Sequence, residues 1–451
     1  MAKAKKMFEC QACGLVTPKW MGKCTSCGGW DSFIELKEEK GPGTAAKKRS
    51  SSNDQASIAT SITEIEIDSV QRNSSYEPEL DTVLGGGIVP GSLTLIGGSP
   101  GIGKSTLLLK IAGNLAQHQH PVLYVSGEES PGQIKMRANR LDANQQSLFL
   151  LSEIKLENIL EELGKTKYNL VVIDSIQTIY SDSISSAPGS VTQVREITFE
   201  LMRWAKDTST AVFIIGHITK EGSIAGPRVL EHMVDTVLYF EGDSGRELRI
   251  LRAFKNRFGS TSEIGIFEMN SSGLTSAQNI SNKFFSSDIA SSGSAKSVVL
   301  EGTRPIIIEV QALVSQSGHP NPKRSATGFE TNRLNMLLAL LEKKLELPLN
   351  QYDVFINVTG GIKITETAID LAIIAAILSS FKNRPISNET IFIGEVSLIG
   401  DIREVYQMQN RLREAQTHGF KKAIVAKQPK ESLKEIKCFG VDEVVKLIEW
   451  M

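Results

Sequence analysis

The chain reads as an α/β protein in three parts: a small cysteine-rich N-terminal module, a central domain on a parallel sheet, and a second α/β domain. Three observations predict this. Four cysteines crowd into residues 10–27. A glycine-rich stretch, Gly98-Ser99-Pro100-Gly101-Ile102-Gly103-Lys104-Ser105-Thr106, sits between an apolar run and a helical pattern. From there to the end, short apolar runs alternate with helically spaced ones, the pattern of strand–helix–strand units. At 451 residues the chain exceeds a single ordinary core, so several domains are expected.

Composition narrows the class. Lys and Arg number 50 against 51 Asp and Glu, a net charge of -1, so any basic surface is local. Residues 1–49 carry ten of the cations against five acids. The start, Met1 to Glu9, has charge but no apolar core and does not read as a signal peptide. The longest apolar run, Leu371 to Leu378, is too short to span a bilayer. The expectation is a cytoplasmic protein that does not touch a membrane.

Cys10-x2-Cys13 and Cys24-x2-Cys27 form two knuckles ten residues apart, followed by Gly14 and Gly28. Two tight turns that present paired thiolates suit tetrahedral Zn²⁺, and a module this small needs a metal to fold. A redox pair is the competing use of Cys-x2-Cys, but two such pairs with Trp20 and Trp30 nearby favour a structural ribbon over residues 1–36. Residues 37–60, with Gly41-Pro42-Gly43 and Lys47-Lys48-Arg49-Ser50, read as a linker.

The central domain is expected over residues 61–280. Leu84-Gly85-Gly86-Gly87-Ile88 leads into strand-like Ser92–Ile96, then into Gly98–Thr106, which satisfies the phosphate-loop pattern at every position. Its backbone N–H groups and the following helix terminus would hold the phosphates of a nucleoside triphosphate, ATP or ADP. Lys104 would reach the β- and γ-phosphates and Ser105 would bind Mg²⁺. Pro121–Ser126 is a strand that ends in Gly127-Glu128-Glu129-Ser130; Glu128, or failing it Glu129, is placed to orient the attacking water. Asn169–Ser175 is an apolar strand closed by Asp174, whose carboxylate would hold the Mg²⁺ shell. Ala211–His217 is the next strand, and His217 stands at its end where a γ-phosphate sensor would sit.

Two loops rich in serine and glycine leave this edge, Ser181–Val194 and Glu221–Arg228, as functional loops do in such sheets. Leu248–Phe254 alternates as a half-buried strand and delivers Lys255-Asn256-Arg257-Phe258-Gly259. Cations two residues apart on a strand face one way, here towards a neighbouring subunit's nucleotide or a DNA phosphate. A serine-rich passage, Ser281 to Ser297, marks the boundary of a last domain, residues 281–451. There strand-like 298–300 and 306–314 precede a helix at Thr331–Leu345, strand-like 354–358, a helix at Glu366–Ser380, and strand-like 391–398 and 422–426.

Together the ribbon, Leu84–Gly87, the phosphate loop, Gly127–Ser130, Gly216-His217-Ile218-Thr219-Lys220-Glu221-Gly222 and Lys255–Gly259 resemble the bacterial RadA (Sms) family of DNA-repair ATPases, relatives of RecA and the DnaB helicases. The resemblance spans nearly the whole chain. It implies a RecA-like core in a homohexameric ring that binds single-stranded and branched DNA, hydrolyses ATP and promotes branch migration of intermediates made by RecA. Lys220, Arg228, Lys255 and Arg257 then become candidates for DNA contact or communication between subunits, with Arg304, Lys323 and Arg324 as weaker ones.

Residues beyond about 350 resemble the proteolytic domain of Lon, through Gly394-Glu395-Val396-Ser397-Leu398-Ile399-Gly400. By motif alignment the serine nucleophile of that domain falls on Thr367 and its lysine base on Gln409. An amide cannot take the proton, so the domain is expected to lack the dyad and to serve as a scaffold. Two other readings stand beside the DNA motor. One is a KaiC-like regulatory scaffold for protein partners; the other is an ATP-dependent protease or chaperone, against which Gln409 counts.

Overall fold

The computed structural model describes residues 7–10, 15–25, 28, 30, 33–36, 61, 63, 71–216, 230–242, 248–270, 273–277, 290–359, 363–429 and 433–450. Cys13, Cys27, the linker 37–60, His217, Lys220 and Arg228 lie outside them. The chain divides into two compact units, Met1–Ser276 and Ala277–Met451.

The first unit begins with an antiparallel ribbon of β1 (Met7–Cys10), β2 (Val16–Thr17) and β3 (Phe33–Leu36), in the order β2-β1-β3. Cys10, Cys24 and Phe33 share one small buried cluster. The main domain then runs α1 (Pro78–Leu84), β4 (Leu93–Gly98), α2 (Lys104–Gln117), β5 (Val122–Ser126), α3 (Pro131–Arg140), β6 (Leu148–Ser152), α4 (Leu156–Leu163), β7 (Leu170–Asp174), α5 (Val191–Thr208), β8 (Ala211–Ile215), β9 (Thr236–Glu241), β10 (Leu248–Asn256), β11 (Ile264–Asn270) and β12 (Gly273–Ser276). Its nine strands lie in the order β12-β11-β10-β9-β4-β8-β7-β5-β6.

The six from β9 to β6 are parallel. Strands β4, β5, β7 and β8 are buried along their whole length, as strands covered on both faces must be. Apolar clusters fill the space on either side, one under α2 and one under α4 and α5. The sheet is thus parallel where the sequence predicts it and antiparallel beyond, because β9 to β12 connect as hairpins.

The predicted alternation of β10 holds, but the inward face carries an arginine. Arg249, Leu251 and Ala253 are buried while Phe254 is 60% exposed. The Arg249 guanidinium is accommodated by the carbonyls of Ile102 and Leu248, and the exposed Phe254 ring packs edge-on against Tyr239, 4.7 Å between centroids.

The second unit contains β13 (Ser294–Glu301), β14 (Arg304–Gln316), β15 (Arg324–Thr327), α6 (Thr331–Leu345), β16 (Tyr352–Val358), α7 (Asp370–Lys382), β17 (Thr390–Ile393), β18 (Glu395–Val396), β19 (Ile402–Arg403), α8 (Met408–Thr417), β20 (Lys422–Val425) and β21 (Lys437–Gly440). Seven strands form one mixed sheet, β15-β16-β14-β13-β17-β20-β21, and β18 pairs with β19 alone.

Three expectations shift here. The end of the serine-rich passage is strand, since Ser294 to Ser297 open β13. The helix expected from Glu366 starts as a 3-10 turn at Thr367–Ile369 before α7 takes over. The apolar run from Ile391 breaks at Gly394, whose N–H donates to Ala368 O and whose carbonyl accepts from Leu371 N, so β17 and β18 are separate. Helix α7 is buried from Asp370 to Ser379, which explains its unbroken apolar sequence. Among the described residues no helix is long and apolar enough to cross a membrane.

Candidate nucleotide site

The phosphate loop connects β4 to α2. Gly98, Gly101 and Gly103 all have positive φ (147°, 75° and 118°), conformations that exclude most side chains. A Cβ at Gly101 would meet nothing within 4 Å, whereas one at Gly103 would lie 2.7 Å from Leu274; the loop is open on one side and packed on the other. Helix α2 starts at Lys104 with Gly103 as N-cap, no side chain capping it and no acid in its first turn. Its first N–H groups therefore keep their capacity for an anion.

Lys104 is 4% exposed and donates to the carbonyls of Gly98 (2.8 Å) and Ser99 (3.1 Å). Burial holds its pKa below the usual lysine value, against the opposing pull of the Asp174 and Glu128 carboxylates. A half-desolvated ammonium on two carbonyls, with two carboxylates in range, fits a triphosphate and its divalent cation.

The carboxylates come from adjacent strand ends, since β5 pairs with β7 and Ser126 lies opposite Asp174. Asp174 accepts from the Tyr124 hydroxyl at 2.6 Å. Burial, with Asp174 beside it, drives that phenol's pKa well up, so Tyr124 remains a donor. Glu128 and Glu129 are separated by their partners. Glu128 accepts from Ser175 Oγ at 2.6 Å, which turns it towards Asp174, while Glu129 is ion-paired with Arg137 of α3.

Lys255 and Arg257 lie elsewhere. In the sheet register Asn256 is opposite Thr236 and Thr236 is opposite Thr94, at the start of β4. The phosphate loop begins four residues on, at Gly98, about 13 Å along the strand. The two cations thus occupy the end of the sheet away from their own loop. Both turn to one segment of their own chain. Lys255 donates to the carbonyls of Glu231, His232 and Val234, and Arg257 contacts Asp235 Oδ1 at 3.3 Å. Asp235 also accepts from Leu93 N, which ties this turn to the root of β4.

In the second unit the cation candidates do not converge. Arg324 pairs with Val354 of β16, itself opposite Val314, ten residues and about 33 Å along β14 from Arg304. Arg324 is ion-paired with Glu342; Lys323 is exposed. Thr367 donates to Glu395 Oε2 at 3.0 Å. Beside it, fully buried Arg411 is ion-paired with Glu366 and donates to the carbonyls of Val298 and Tyr406.

Tyr124, Ser175, Arg137 and Asp235 were not singled out from sequence. Tyr124 lies within β5 and Ser175 just past β7; both strands are buried on both faces, so alternation marks neither residue.

Sheet order, phosphate loop and strand-end carboxylates define a RecA-like P-loop ATPase with an N-terminal ribbon and a C-terminal α/β domain. Family models agree in part and in extent: an AAA domain matches residues 63–223, a rubredoxin metal binding domain residues 8–35, and the ChlI subunit of Mg-chelatase residues 326–429. DNA repair protein RadA of Campylobacter jejuni is 60% identical over 451 residues, all of both chains. That of Bacillus subtilis is 50% identical over 426 residues, 94% of this chain and 93% of its own. Among solved structures, the KaiC-like protein PH0186 of Pyrococcus horikoshii is 18% identical over 46% of this chain and all of its own, with a TM-score of 0.39. The chain belongs to the RadA family of DNA repair proteins.

Proposed function

We propose that this chain is a DNA-stimulated ATP motor that works as a homohexameric ring on single-stranded and branched DNA, in the cytoplasm, and drives branch migration of intermediates made by RecA. One observation carries the reading. Lys255 and Arg257 stand at the sheet end opposite their own phosphate loop, and we read their charge, held here by residues 231–235, as passing to a site on another molecule, either the next subunit's nucleotide or DNA. A ring supplies the first directly, and makes each ATP site depend on the neighbour's position.

Within one site, the loop amides from Gly98 to Thr106 would bind the β- and γ-phosphates, with the Lys104 ammonium transferred to them from its two carbonyls. Ser105 and Asp174 would hold Mg²⁺, which when bound neutralises phosphate charge. Glu128, oriented by Ser175, would take a proton from the water that attacks the γ-phosphorus, as the bond to the ADP oxygen breaks. Pairing with Arg137 favours a supporting role for Glu129. His217, Lys220 and Arg228 complete the reading as sensor and DNA-facing residues. In the ribbon, the shared burial of Cys10 and Cys24 supports a Zn²⁺ site closed by Cys13 and Cys27. In the second unit, the Arg411–Glu366 pair beside Thr367 supports a scaffold without peptidase chemistry.

The test is steady-state ATP hydrolysis with and without single-stranded DNA across a salt series, for the intact protein and Lys255→Ala. Stimulation that fades with salt, as phosphate contacts require, and is lost in the variant is expected. Equal rates in all samples would leave a nucleotide-binding scaffold and end the motor reading.

A further inference from the structure

The turn that carries Lys255 and Arg257 is held by an arginine far from it in sequence. Arg72 donates through Nη2 to the carbonyl of Phe258 at 2.6 Å, and through Nη1 to the carbonyls of Leu84 (3.3 Å) and Gly85. The last two close α1. Asn256 Nδ2 donates to the neighbouring carbonyl of Val83 at 3.2 Å, and Asn256 Oδ1 accepts from Phe258 N. One guanidinium and one amide thus cap the negative end of a helix dipole and, in doing so, clamp that helix end onto the cation turn.

The backbone is shaped for the clamp. A Cβ on Gly85 would stand 3.0 Å from Gly259 Cα and 3.1 Å from Arg72 Nη1, and one on Gly87 would stand 2.7 Å from Asn73 O. Asn73 pairs with Ile88 on the far side, which fixes Arg72 over the gap. This accounts for glycine at Gly85 and Gly87 ahead of a phosphate loop they do not touch, and for Gly259 at the end of the cation motif.

We infer that Arg72 is a positioning residue for the Lys255–Arg257 pair: it sets where those cations present themselves, and through them the rate of ATP hydrolysis in another subunit. The inference rests on the reading of that pair given above. A planar fork that bridges two separate turns is the part of arginine that lysine lacks, and a misplacement of 1 Å at a catalytic charge costs up to about a hundredfold in rate.

The experiment compares Arg72→Ala, Arg72→Lys, Lys255→Ala and the double variant R72A/K255A, each full-length, by kcat and KM for ATP with single-stranded DNA, by binding of a fluorescent ATP analogue, and by thermal unfolding. R72A is expected to lose about tenfold or more in kcat, with KM and analogue affinity within about twofold because its own phosphate loop is intact. R72K should fall between, and R72A/K255A should be no slower than K255A, since a residue acting through a pair adds nothing once the pair is gone. Wild-type kcat in R72A, or a double variant slowed by the product of the two single effects, would overturn the inference. If R72A is unfolded, R72K decides: folded with normal affinity and reduced kcat supports positioning, while unfolding in both assigns Arg72 to folding alone. The two readings fail separately, for K255A at the wild-type rate sinks the proposed function, whereas a slow K255A beside a normal R72A sinks only this one.

Discussion

Lys104 in the first unit and Arg411 and Asp370 in the second are all buried charges, and they are held in opposite ways. Near the phosphate loop, Lys104 is buried on two neutral carbonyls, with Asp174 and Glu128 close enough to act on it. In the second unit Arg411 is fully buried and ion-paired with Glu366, and Asp370, also fully buried, is ion-paired with Arg333 and accepts from Val396 N. A buried charge with poor internal partners is expensive to keep and is retained where a ligand will complete it. A buried charge mated within the fold has its partner in place already, and removal of either partner leaves the other uncompensated. The contrast sets Lys104 apart from Arg411 and Asp370 without reference to any ligand.

The sharpest break of the comparison is removal of one charge from each side. Lys104→Ala should lower ATP turnover by about a hundredfold or more while the melting temperature stays near that of the intact protein, since a loop charge held only by carbonyls contributes no pairing. Glu128→Gln should cost about a hundredfold or more through the lost proton acceptor, with nucleotide binding retained. Arg411→Ala should do the reverse. It takes the guanidinium away from Glu366, which keeps only the Leu300 N–H, and from the carbonyls of Val298 and Tyr406, at a cost of about 3–5 kcal/mol, read as early unfolding of the second unit with a preserved nucleotide Kd. An Arg411→Ala protein with unchanged unfolding, or a Lys104→Ala protein that melts early, would erase the distinction.

The two regions also differ in how readily sequence discloses them. The phosphate loop, Asp174 and the helix Thr331–Leu345 are legible because each is a local pattern: glycines at fixed spacing, an acid that closes an apolar run, an apolar stripe of helical period. The choice between Glu128 and Glu129 is not local. It depends on Ser175 and Arg137, 47 and 8 residues away, which only strand pairing and α3 bring to bear. Arg249 misleads the alternation rule because its partner is Ile102 O, 147 residues earlier. Arg72 gives no signal at all, since its grip on Phe258 spans 186 residues. Chemistry that a turn can hold is visible in the chain; chemistry that needs two strand ends is not.

Smaller effects sharpen the same contrast. Because burial lowers the Lys104 pKa, the free protein should lose this charge at a pH below the ordinary lysine range. Affinity for a fluorescent ATP analogue should then weaken on the alkaline side earlier than an exposed lysine would allow. Lys104→Arg, whose charge does not titrate there, should flatten that limb even if its affinity is lower throughout. A limb that persists unchanged in the variant would place the titration elsewhere.

The smallest effect belongs to Glu129. Its carboxylate is held by Arg137 on α3, about two turns beyond the Ser130 cap, and both side chains are partly exposed. Such a pair is worth up to about 1 kcal/mol, so Glu129→Gln should shift turnover by no more than a few fold and the melting temperature by little. Set against the loss in Glu128→Gln, that small change would assign the water to Glu128. Comparable losses in the two variants would mean that Arg137 releases Glu129 when nucleotide binds, and the partner-based separation of the two acids would then fail.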